Sequence, residues 1–474
     1  MVKKKSEVQE VKKNIRCLNI RNLNILKTNI LFPMGGKSRR VLRGGVVYDE
    51  QRNRNSVNKS LALDLPDHVL ELVVEHLCLP DLFRFGWVCK LWKSVCDPLQ
   101  FQNHLPWLIG PFNNNKDDDD SSLAFDSTET AIGFFSLRNQ RIYKAELPEL
   151  SNRRICGSLP AGWLMTIHEN SEIQLFNPFI MNRLSQTWSS ASLIYLPPMS
   201  KLPGVTTELT ENELFYVGTS IRVPAAHFRF PSKEMRDVCI DNVAMSSSLI
   251  TKGTVIMVIQ GVDCALAFYI IGGVEQVWTP VSRELGNSLF HDLTYYKGKF
   301  FAVHNNGYVV VIDGVKENSL FSPSLKIVVG RHPFKFADHH YILESSGDLL
   351  VVLRYLKALD DSKTWRLYRT VGFKVLKLDF TGRDISWVEV ESIGDRSLFL
   401  GGNTSFTIQA NEFSGCKPNC IYFTDNFYNY NREFGGHDLG VFSLQDGSIE
   451  NFHYQSDDVV VMPPPVWYAP NLSC

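Results

Sequence analysis

Residues 292–312 read DLTYYKGKFFAVHNNGYVVVI. Three β-rich runs, 293–296, 299–303 and 308–312, are split by Lys297-Gly298 and by Asn305-Asn306-Gly307. Val, Phe and Tyr favour strands, and Asn-Gly is the strongest short hairpin signal because tight turns need residues at positive φ. The stretch predicts two consecutive hairpins, a three-stranded antiparallel meander.

The same texture extends outward. Runs at 132–137 (IGFFSL), 162–167 (GWLMTI), 254–259 (TVIMVI) and 266–271 (LAFYII) alternate with turn residues. Further strands are read at 348–354, 373–380, 387–390, 405–410, 420–424 and 440–444, with no long helical pattern between them. Many short strands at even spacing mean a sandwich, barrel or propeller. Residues 131–474 are too many for one sandwich or small barrel and fit a mainly β fold, a β-propeller of roughly six or seven blades at ~45–50 residues each. No per-blade signature is visible, neither a Trp-Asp period nor a kelch-like double glycine. At the far end, 459–462 (VVVM) and Val466-Trp467-Tyr468 form a β-rich segment. Aromatics of that size mostly bury, so this segment is read as a strand that closes the ring by pairing with the first blade.

Ahead of the strands lies 63–95, LDLPDHVLELVVEHLCLPDLFRFGWVCKLWKSV. Pro66-Asp67 and Pro80-Asp81 are helix starts: proline costs nothing at an early helical position, and aspartate complements the positive helix end. Val69, Leu70, Val73, Val74 and Leu77 form one apolar stripe, and Leu82, Phe85, Val88, Cys89, Trp92 and Val95 a second. Pro98 ends the run. Residues 101–112 are read as a third short helix and a hinge.

The chain has 474 residues, 44% hydrophobic, enough for a large core and more than one domain. Net charge is −1, unevenly spread. Residues 1–60 hold 15 Lys/Arg and 4 Asp/Glu, a balance of +11, which leaves 34 Lys/Arg against 46 Asp/Glu, or −12, for the remainder. The first 60 residues are read as a separate basic arm: a disordered tail, a nuclear-localisation signal, or an organelle transit segment. The run NNNKDDDDSS at 113–122 cannot bury four adjacent aspartates and lacks the spacing and glycine of an EF-hand, so it is read as a solvated loop. The reading divides the chain into an arm (1–60), a small all-α module (61–100), a linker with the acidic run (101–130) and the propeller (131–474). No stretch approaches the roughly 20 apolar residues of a membrane-spanning helix.

Leu65-Pro66, Val69-Leu70, Leu77, Leu82, Val88-Cys89-Lys90 and Trp92-Lys93 closely resemble an F-box. The resemblance implies docking on a Skp-type adaptor, and through it a cullin-based ubiquitin ligase. The contact residues would be Leu65, Pro66, Val69, Leu70, Val73, Leu77, Leu82, Val88, Cys89 and Trp92. Farther on, CGSLPAGWL (156–164), LFNPF (175–179), DLTYYKGKFFAV (292–303), YILESSGDLLVVLR (341–354), GDRSLFLGGNTSFTIQA (394–410) and GCKPNCIYFTD (415–425) resemble, in order, a plant F-box-associated propeller family. Together the two resemblances imply a non-catalytic receptor subunit whose propeller holds a target protein for ubiquitination, in the nucleus or cytoplasm. The alternative is an adaptor-binding protein that sequesters a partner without assembling a ligase.

Signs of chemistry are few. There is no phosphate-binding glycine loop and no nucleophile elbow. Cys416 and Cys420 are a lone close pair outside the F-box, whereas a zinc site needs about four ligands. Asp338-His339-His340 is the one dense polar cluster, and neighbouring side chains on a strand point to opposite faces. No cofactor or metal is expected, and the acidic body argues against specific nucleic-acid binding.

Overall fold

A computed structural model of the chain describes residues 106–111, 131–137, 141–178, 192–209, 214–219, 227–261, 263–281, 289–315, 323–359, 368–402, 404–413, 415–425, 438–452 and 465–468, with Leu70, Val74, Phe85, Trp92 and Val95. The chain divides into 1–64 and 65–474, and every described residue lies in the second unit. The basic arm, the acidic run and 459–462 fall outside the described residues.

Six sheets of four or five strands form a β-propeller. Blade 2 runs Arg153–Leu159, Trp163–His168, Ile173–Phe176, Leu193–Leu196, from the axis outward. Blade 3 follows with Ile240–Met245, Val255–Gln260, Ala265–Ile270 and Thr279–Pro280. Blade 4 is Phe290–Tyr296, Lys299–His304, Val309–Asp313, Ser324–Val329, and blade 5 is His339–Ser345, Asp348–Ala358, Tyr368–Asp379, Ser386–Val390. Blade 6 departs from the meander: Phe406–Gln409 is innermost, followed outward by Arg396–Leu400, Cys420–Phe423, Gly440–Ser443 and Ile449–Asn451. Between blades 2 and 3 the chain adds a three-stranded sheet (Val205–Leu209, Leu214–Thr219, His227–Pro231) and a helix, Ser232–Val238.

Blade 1 closes the ring. Its innermost strand is Val466–Tyr468, paired antiparallel with Trp107–Pro111, and Ala131–Ser136 and Arg141–Glu146 complete it. Two corrections follow for the linker. Trp107–Pro111, read from sequence as helix and hinge, is a strand. The propeller therefore begins well before residue 131, with the acidic run inserted between two strands of one blade. The apolar run 107–109 is too short to show alternation, and its partner is some 360 residues away, so local pattern could not reveal it.

The opening stretch folds as two hairpins, with Tyr296 opposite Lys299 and Val303 opposite Val309. Lys297 and Gly298 both take positive φ (45° and 81°). In the Asn305-Asn306-Gly307 turn only Gly307 does (81°), so this loop is a three-residue one closed by a single left-handed glycine.

Packing explains why strands here read as continuous apolar runs. Successive residues on a strand face opposite sides, and each blade is covered on both faces by its neighbours. Phe300 packs toward blade 3, with Met257 and Ala244, while Phe301 packs toward blade 5, with Ile342 and Leu353. Six apolar clusters fill the six blade junctions. Trp467 joins Phe399 and Tyr422 of blade 6 and donates Nε1–H to Leu400 O at 3.1 Å, whereas Tyr468 turns to blade 2 and donates to Gly162 O at 3.2 Å. The last strand thus ties both neighbours of the closing blade.

Candidate functional site

Of the ten residues read as adaptor contacts, two are described. Leu70 is wholly buried, in one cluster with Val74, Phe85, Val95 and the blade 1 residues Trp107, Ile109 and Tyr468. Trp92 is half-buried and stacks on Phe85, with ring centroids 4.3 Å apart. Leu65, Pro66, Val69, Val73, Leu77, Leu82, Val88 and Cys89 lie outside the described residues.

On the propeller axis the inner strands meet at Asp292, which is fully buried. One carboxylate oxygen accepts from Asn242 Nδ2 (2.6 Å) and Leu293 N (2.8 Å), the other from Ile342 N (2.9 Å) and Ser405 Oγ (2.7 Å). Burial pushes its carboxyl up to about 7, against the hydrogen bonds from Ile342, Ser405 and Leu293 that hold it down. Thr404 Oγ1 donates to Val243 O at 2.5 Å, and a Cβ on Gly157 would lie 2.6 Å from Val243 Cγ1. Gly157, Asn242 and Asp292 are equivalent positions: the inner strands of blades 2, 3 and 4 each carry a register shift just before them, at Ile155/Gly157, Ile240/Asn242 and Phe290/Asp292. These three blades thus share a structural repeat that no residue identity marks. The polar groups on the axis are committed to one another.

At the end of the axis where strand two turns into strand three lies a histidine cluster between blades 4 and 5. His291 stacks on His339 (4.4 Å, 6°), His340 Nδ1 lies 3.3 Å from His291 Nδ1, and His340 Nε2 lies 3.1 Å from His332 Nε2. The close approach requires glycine at 307, where a Cβ would sit 2.6 Å from the His332 ring. Burial holds His291 down to about 3 and His340 down to about 2, and lowers His332 and His339 as well. Sequence reading found only His339 and His340; their partners, His291 on the inner strand of blade 4 and His332 in the loop ahead of blade 5, carry no local motif. Among the described residues no three His, Cys, Asp or Glu side chains have the geometry to hold a metal ion.

Beside it, Arg354 is 1% exposed. It donates to Thr370 Oγ1, Tyr341 Oη and Thr424 O, each at 2.8 Å, and to Asp438 Oδ2 at 2.8 Å. Asp438 in turn accepts from Thr370 N and Oγ1. This buried pair locks blade 5 to blade 6. Cys416 and Cys420 carry free thiols that burial pushes up, which suits packing rather than nucleophilic attack.

An F-box segment followed by a ring of six blades defines a class: F-box proteins with a C-terminal β-propeller. The KIB1-4 beta-propeller family description matches residues 134–443, and the F-box domain matches residues 62–103. The chain belongs to the KIB1-4 beta-propeller family. F-box protein SKIP23 of Arabidopsis thaliana is 25% identical over 429 residues, covering 85% of this chain and 94% of that protein. F-box protein At4g35733 of the same plant is 24% identical over 430 residues, 85% and 97% of the two chains. F-box protein At2g17690 is 43% identical over 81 residues, 17% of each.

Proposed function

We propose that the protein is the substrate receptor of a Skp–cullin–F-box ubiquitin ligase. The observation that carries this reading is the joint match of an F-box at 62–103 and a propeller at 134–443 in one chain, an order shared with F-box proteins along most of their length. The F-box docks on a Skp-type adaptor and, through it, on a cullin; the propeller holds the target. The chain itself makes and breaks no bond. It raises the local concentration of a target lysine beside the charged conjugating enzyme, a proximity effect.

The test is binary. Purified full-length chain is mixed with a purified Skp-type adaptor, alongside the Leu65→Ala/Pro66→Ala variant. Truncating interface anchors costs about 2 kcal/mol or more, so the variant is expected to bind at least tenfold more weakly while its thermal transition is unchanged. Undiminished binding by a folded double variant would remove the F-box from the interface.

A further inference from the structure

The second and third strands of blade 5 are 11 and 12 residues long, whereas among the described residues no other blade strand exceeds seven. Their hairpin therefore runs on past the blade, beyond the buried Arg354. Near its far end Lys357 and Arg369 stand directly opposite each other, both exposed. Like charges in that position destabilise a sheet. Among the described residues, the ion pairs of these strands join Lys374 to Glu389 and Lys377 to Asp348, farther back along the hairpin, and none includes Lys357 or Arg369. Apolar side chains lie beside the cations. Val371, the extra residue at the register shift opposite Tyr355/Leu356, is 47% exposed, and Leu359 is 52% exposed.

The loop entering blade 5 runs alongside. Asp338 N donates to Arg354 O (3.0 Å), and Leu356 N donates to Asp338 Oδ2 (2.7 Å). That contact turns the carboxylate toward the hairpin backbone. The same loop presents Phe336, 57% exposed, with the Arg331 guanidinium 5.9 Å from its ring centroid. Cations and exposed apolar groups thus lie on two adjoining segments, the hairpin and the loop that bonds to it, in a body that, from residue 61 on, carries a net charge of −12.

We propose that this surface, formed by the blade 5 hairpin and the loop ahead of it, docks an acidic protein segment carrying an apolar side chain. The proposal rests on the receptor reading above and names the chemistry of its target. Carboxylates of the segment would face Lys357, Arg369 and Arg331, relieving the like-charge pairing, and its apolar side chain would cover Phe336 and Val371.

The test is a selection of random 16-residue displayed peptides on the full-length chain bound to its adaptor, repeated on Lys357→Glu/Arg369→Glu. Peptides enriched by the wild-type chain are expected to combine Asp or Glu with Phe, Leu or Trp. A lead peptide should lose at least tenfold in affinity on the double variant and severalfold on Phe336→Ala. Adaptor binding, measured in parallel, is expected to be equal for all three proteins, so a failure of the receptor reading shows separately. Enrichment without acidic residues, or equal affinity for the double variant, overturns the proposal. So does binding of a single-stranded RNA 20-mer that the double variant loses, which would reassign the surface to nucleic acid.

Discussion

Asp292 joins four blades through four hydrogen bonds, to Asn242, Leu293, Ile342 and Ser405. Its removal leaves four buried donors without an acceptor, at about 1–3 kcal/mol each. Asp292→Ala is expected to lose at least about 3 kcal/mol of stability in chemical denaturation; a loss under 1 kcal/mol would show that the axis does not depend on this carboxylate. The histidines beside it set a pH dependence. His291 and His340 are held at about 3 and about 2 in the folded chain, against about 6.5 unfolded. Below about 6.5 the unfolded chain takes up protons that the folded one refuses, so stability falls on acidification by about 1.4 kcal/mol per pH unit per histidine. Asp292, raised to about 7, has the opposite sign: the folded chain binds its proton first, and stability from this group is gained as pH falls below 7. Two histidines outweigh one carboxyl. The melting temperature is expected to drop between pH 7 and pH 5.5, and to drop less steeply in His340→Asn; a flat profile in the wild-type chain would contradict this.

At the scale of elements, the hairpins at 292–312 were readable because turn residues and apolar runs are local. Blade 6 was not: its inner strand follows the second strand in sequence, and Arg396–Leu400 pairs parallel with Cys420–Phe423, an order that no run of residues announces. The strand Trp107–Pro111 was hidden for a similar reason, its partners lying across the acidic run and at the far end of the chain. The closing strand was legible through Trp467 and Tyr468, since aromatics of that bulk have no place in a free tail. Both are fully buried. Trp467→Ala removes the side chain that fills the blade 1–blade 6 junction and is expected to cost about 3–5 kcal/mol. Deleting 456–474 should go further, opening the ring and exposing the edge of Trp107–Pro111. The truncated protein is expected to aggregate or lose its cooperative melt; melting within a degree or two of full length would show that the ring closes without this strand.

At the scale of the molecule, composition gave the size of the core and the charge contrast between arm and body, and the ordered short motifs gave the family. The histidine cluster and the axial network were beyond sequence reading because each is assembled from residues of different blades: His291 meets His340 across 49 positions, and Thr404 meets Val243 across 161. Physical proximity there is a product of ring closure, which local periodicity does not encode. The proposed receptor role assigns the F-box to the ligase and the propeller to the target. The most direct measurement is proximity labelling in plant cells with the proteasome inhibited, comparing the intact chain with Leu65→Ala/Pro66→Ala. The intact chain is expected to label a Skp-type adaptor, a cullin and a set of proteins that accumulate under inhibition, and the variant to keep that set while losing adaptor and cullin. An intact chain that labels no cullin, or a target set that does not respond to proteasome inhibition, would contradict the receptor role and favour sequestration.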